Sequence, residues 1–182
     1  TFRFVRDSPK DGDSIMAIME AIETVYLEAD VASVTFDSIS GYEHLQLRFS
    51  EKADGPNGAV YMQFNDDTGS NYAYQQMSGS ASSATGNFNG ASATKIALIG
   101  TTNASGSTIY GGGVIDILDY ANPNKNTSVQ CSYGSRMDTA APFVVSGDGL
   151  WDNIAAVTKI KFYEFNGWQR GCSFTLYGIK SS

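Results

Sequence analysis

The side chains best suited to binding something are gathered in one stretch, Gln63 to Gln75, where Asn65, Asp66, Asp67, Asn71 and Tyr72 follow one another closely. Hard oxygen donors packed into a single turn suit a calcium ion. Their spacing matches no EF-hand loop, however, and short acidic and amide side chains build turns unaided by bonding their own backbone. A solvated turn is therefore the simpler expectation. His44 is the only histidine and has no serine or cysteine motif beside it, so a histidine-dependent triad is not expected. A glycosidase needs two carboxylates at a set separation, for which Asp116, Asp119, Asp148, Asp152 and Glu164 are the candidates. No glycine-rich phosphate motif opens a helix. The expectation is a protein without a catalytic group, cofactor or metal, whose candidate interaction residues are Phe2, Phe4, Asp66, Asp67, Asn71 and Tyr72.

The elements that must position these residues read as strands. Val60, Met62 and Phe64 alternate with Tyr61, Gln63 and Asn65, and Tyr72 and Tyr74 resume the alternation after the turn, which predicts a β-hairpin. Leu45, Leu47 and Phe49 form an inward row against His44, Gln46 and Arg48, and Ile160, Phe162, Phe174 and Leu176 continue it later in the chain. Val114 to Leu118 is apolar except for Asp116 and reads as a central strand. Residues 78 to 93 are almost entirely small and polar and read as a flexible crossover between sheets. Asp13 or Ser14 is placed to cap a short helix over Ile15 to Glu23, which competes with an extended reading of Thr24, Val25 and Tyr26.

Composition narrows the partners. With 182 residues the chain suits one two-layer domain, and its 42% hydrophobic content excludes disorder. A net charge of -7 with no basic stripe argues against nucleic acid. No apolar run reaches membrane-spanning length, and Ile15 to Ile22 is broken by Glu20 and lacks the flanks of a secretory signal. Cys131 and Cys172 are expected as two buried thiols.

Four segments carry a further signal: Phe36 to Phe49, the Gln63 to Gln75 stretch, Val114 to Asn122 and Phe174 to Lys180. Together they resemble a β-sandwich family of virion proteins from tailed bacteriophages, cyanophages among them, over roughly residues 21 to 182. The resemblance implies an all-β, antiparallel, jelly-roll-like sandwich over 21 to 182 and a non-enzymatic structural role in the virion, as capsid decoration, fibre, tail or baseplate protein. It also implies a strand at about Ile22 to Glu28. Residues 1 to 20 lie outside the match and read as an N-terminal arm, with Phe2 and Phe4 as anchors on a neighbouring subunit. The implied partners are other copies of the chain, as a trimer or lattice-bound set, and other virion proteins. An alternative reading is a lectin-like module binding host surface glycan, because Tyr61, Tyr72, Tyr74 and Tyr110 are expected to be exposed among Asn and Asp and to stack on sugars.

Overall fold

The computed structural model describes residues 18–55, 59–80, 83–98, 108–136 and 142–180. Phe2 and Phe4, with the rest of the first 17 residues, lie outside that set. Among the described residues there are twelve strands: β1 (Ile18–Tyr26), β2 (Val31–Phe36), β3 (His44–Glu51), β4 (Val60–Phe64), β5 (Tyr72–Ser80), β6 (Ser83–Ala93), β7 (Ile96–Leu98), β8 (Gly111–Leu118), β9 (Thr127–Arg136), β10 (Pro142–Trp151), β11 (Ile160–Trp168) and β12 (Ser173–Lys180). They form two antiparallel sheets, one of eight strands in the order β1-β12-β3-β8-β9-β10-β5-β6 and one of four in the order β2-β11-β4-β7. The two sheets pack face to face as a sandwich.

Strand alternation places the core. Leu45, Leu47, Phe49, Val60, Met62, Phe64, Ile160, Phe162, Phe174 and Leu176, all expected inside, are buried. Aromatic rings join the layers: Phe162 of β11 lies 5.1 Å from Phe49, 5.4 Å from Trp168 and 5.7 Å from Phe174, centroid to centroid. A second set holds Phe64, Tyr72 and Trp151, with Trp151 5.6 Å from Phe64 and 6.4 Å from Tyr72. Gly149 of β10 faces this interior, and a Cβ there would lie 2.5 Å from Ile96 Cγ2, so the close approach of β7 to β10 requires glycine. Cys131 and Cys172 are buried free thiols, and burial pushes them up to about 12 and about 11 respectively.

Three expectations are corrected. Among the described residues of the Ile15–Glu23 stretch, 18 to 23 are not helical. They belong to β1, because a free partner edge on β12 gives their backbone a full ladder from Ile18↔Lys180 to Tyr26↔Ser173. The boundary drawn between residues 20 and 21 therefore falls inside this strand. Secondly, β4 and β5 are not a hairpin. β4 pairs with β11 and β7 in the small sheet, whereas β5 pairs with β10 and β6 in the large one, so residues 65 to 71 arch from one sheet to the other. Thirdly, 78 to 93 is no flexible crossover: its described residues lie in β5 and β6, which pair from Ser80↔Ser83 outward. Small polar side chains suffice there because β6 is the last strand of the larger sheet and Ser83, Ala84 and Thr85 remain exposed.

Candidate functional site

The inter-sheet arch uses the chemistry-bearing residues on itself. Asn65 and Asp66 take positive φ of 51° and 57°, a conformation that Asn and Asp tolerate better than other side chains. Asn65 is consumed by the segment leading into β11: its Nδ2 donates to Ala156 O at 2.8 Å, and its Oδ1 accepts from the Thr158 N–H at 2.9 Å and the Lys159 N–H at 3.1 Å. Asp66 turns outward to the Lys159 ammonium at 2.7 Å. Asp67 turns inward. Its Oδ1 accepts from the Gly69 N–H, and its Oδ2 accepts from both Asn71 Nδ2 and Trp151 Nε1, each at 2.8 Å. These donors, Asn71 foremost, hold its carboxyl below the usual carboxylate range.

Tyr72 is not a surface residue, contrary to the sequence reading. It is fully buried, its hydroxyl accepts from the Phe64 N–H at 3.1 Å and donates to Asp67 O at 3.0 Å, and burial pushes it up to about 12. The phenol thus caps the end of β4 and ties the arch to β5. Asp66 and Asp67 point to different partners and both Asp67 oxygens are occupied, so the donors do not converge on a calcium position. Nor do the tyrosines form one sugar platform. Tyr61 is on the outer face of the small sheet, Tyr74 packs against the core, and Tyr110 donates its hydroxyl to Arg170 O at 2.9 Å.

The five candidate carboxylates are likewise spread. Glu164 is buried, its Oε2 accepts from the Asn166 N–H, and burial raises its carboxyl above the usual range. Asp119 lies in the turn after β8, bonded to Lys125, and its N–H donates to His44 Nδ1 at 2.9 Å. Asp152, after β10, accepts from Asn126 Nδ2 at 2.7 Å. Only Asp116 and Asp148 share a surface.

That surface is the outer face of the large sheet, and it is the most extensive candidate site. Register aligns Gln46, Asp116, Gln130, Asp148 and Gln75 in one row across β3, β8, β9, β10 and β5. Gln46 Nε2 donates to Asp116 Oδ1 at 2.8 Å, which fixes one end. Asp116 and Asp148 stand two strands apart, about 10 Å by strand spacing, and well beyond the roughly 5 Å of a nucleophile and acid pair. The next row adds Val114, Ser132, Ser146 and Met77, the last 67% exposed. These rows line a trough of about 430 Å³, continuous through shared residues with hollows on either side. Of its members, sequence reasoning named Asp116 and Asp148 as candidate carboxylates and Gln46 as an outward position, and did not bring them together. Their polar, mostly uncharged character was visible, but their alignment depends on which strands pair.

Comparison with protein-family models, curated proteins and solved structures finds no match to this chain.

Proposed function

We propose that this chain is a non-catalytic structural component of a tailed-bacteriophage virion, contributing contact surface to neighbouring copies and to other virion proteins. What supports the reading is where the resembling segments lie. Phe36 to Phe49, Val114 to Asn122 and Phe174 to Lys180 are far apart in sequence, yet they supply β3, β8 and β12, three adjacent strands of the large sheet. The fourth segment is the arch, with its Asp67 and Tyr72 bonds. The adjacency of three segments so far apart in sequence is what a shared scaffold would leave, and the fourth lies apart from them where the chain passes between the sheets. Mass spectrometry of purified particles from the phage encoding this sequence is expected to find the chain at many copies per particle, and antibody labelling assigns it to capsid, fibre or baseplate. Its absence from particles would overturn the reading.

A second reading, glycan binding, is favoured by one observation, the row of amides and carboxylates lining the trough. Such groups bond sugar hydroxyls, and exposed Met77 offers an apolar contact beside them. If the trough serves attachment, the isolated protein binds a defined saccharide at sub-millimolar concentration on a glycan array, and Gln130→Ala with Asp148→Ala weakens that binding at least roughly tenfold. Binding that ignores both substitutions would remove the trough from the account.

A further inference from the structure

The outer face of the small sheet is chemically unlike the rest of this acidic chain. Register places Ser33, Tyr163, Tyr61 and Ala97 in one row across β2, β11, β4 and β7. The Tyr61 and Tyr163 rings pack at 5.3 Å. Lys95 Nζ lies 3.8 Å from the Tyr61 centroid and 5.9 Å from that of Tyr163, and Lys161 Nζ lies 5.0 Å from Tyr163. Lys159, the residue just before β11, is neutralised by Asp66. Among the described residues neither Lys95 nor Lys161 has a carboxylate partner. Two cations over an aromatic pair therefore face outward without a counter-charge.

The complementary surface is on the same molecule. Among the described residues β1 is the end strand of the large sheet, bonded to β12 on one side only. Eight strands cannot be covered by four, and β1 is exposed over most of its length. Glu20 and Glu23 sit opposite the inward positions Gly178 and Leu176, and Glu28 and Asp30 follow the strand. Exposed Ile18, Met19 and Tyr26 lie among them. Glu20 accepts from the Tyr42 hydroxyl and lies 3.8 Å from Lys180 Nζ, Glu28 lies 3.7 Å from Arg170 Nη2, Asp30 accepts from the Arg170 N–H at 2.8 Å, and Glu23 has no ion-pair partner among the described residues. The bulge between Ala21 and Glu23, with inward carboxylates, discourages extension of the sheet by another strand. An edge so built docks by charge and apolar contact.

We propose that the Lys95–Lys161–Tyr61–Tyr163 face of one copy receives the acidic β1 edge of a second copy. Because the two surfaces differ, the contact is head to tail, and its repetition gives a ring or an open row of copies. This inference deepens the repeated-copy part of the virion reading but is tested apart from it, since the location of the chain in particles is read independently.

Sedimentation velocity of the full chain over a concentration series is expected to show reversible association at about 0.1 M salt that is lost near 1 M, where charge is screened within a few ångströms. Lys95→Glu with Lys161→Glu, and separately Glu23→Lys with Glu28→Lys, should each give a monomer with an unchanged circular dichroism spectrum. Mixing the two variants should restore a 1:1 complex, because the first keeps the acidic edge and the second keeps the lysine face. Should either reversal fail to fold, Lys→Ala and Glu→Gln at the same positions replace it and are expected to weaken association at least tenfold. A wild-type chain that stays monomeric throughout would overturn the proposal. So would association indifferent to both variants, a mixture that remains monomeric, or a monomer whose lysine face instead captures a sulfated glycan.

Discussion

Replacing Phe162 by alanine is expected to cost about 3–5 kcal/mol, the usual penalty for emptying a buried aromatic site. Phe162 is fully buried at the centre of the inter-sheet cluster and touches the rings of Phe49, Trp168 and Phe174. Those neighbours come from three strands in two sheets, so no single side chain can swing in to fill the void. Domains of this size are stable by only about 5–15 kcal/mol, so the variant should be largely unfolded at modest denaturant. Urea titration followed by tryptophan fluorescence checks this, and a loss under about 1 kcal/mol would mean that the two layers repack freely.

The second large effect is expected at Asp67. Asp67→Ala strands the Trp151 indole N–H and the Asn71 amide inside the arch, and a buried donor left unpaired costs about 1–3 kcal/mol, so the variant should lose roughly 2–4 kcal/mol. The carboxyl also carries a pH signature. Its folded value is lowered, so on acidification the unfolded chain takes up the proton first. The stabilisation is therefore fully present above about pH 4, the ordinary range of an aspartate, and is lost as pH falls through the folded value. Asp67→Asn removes that ionisation. The stability gap between wild type and Asp67→Asn, measured by urea titration at pH 7 and again near pH 3, should narrow in acid. A gap that is constant with pH would show that the Asp67 charge contributes nothing.

The inner rows were legible because alternation of Leu45, Leu47 and Phe49, or of Ile160 and Phe162, has only one strand-based reading. The strands followed from those rows, and the antiparallel sandwich was what the resemblance implied. Sheet membership was not legible. Alternation on both sides of residues 65 to 71 is the same whether the chain doubles back within a sheet or crosses to the other, and only the partners β11 and β10 decide. Tyr72 misled because a phenol is half apolar and its neighbours are polar, so nothing local reveals that Phe64 N–H needs a cap. Trp151 lies far along the chain from Asp67, and no sequence spacing announces their bond. β6 was missed because it sits beyond the reach of the small sheet and has no large apolar row to show.

The position of β12 has a consequence for how the protein is made. β12, the last strand among the described residues, is not at an edge: it is inserted between β1 and β3, pairing Ile18 with Lys180 on one side and Leu47 with Leu176 on the other. Until synthesis reaches β12, β1 lacks its partner among the described residues and β3 has only β8, so the large sheet cannot close before Ser173 to Lys180 have been made. Closing it means joining residues at opposite ends of the sequence, a search that slows folding of non-local β topologies. During that interval Ile22 and Val25, which pack against the core in the folded protein, are uncovered, and nascent chains held close together would be exposed to mispairing. A chain cut before Ser173 should therefore fail to fold altogether, and slow refolding is the expected kinetic mark of β12 pairing in the middle of the sheet.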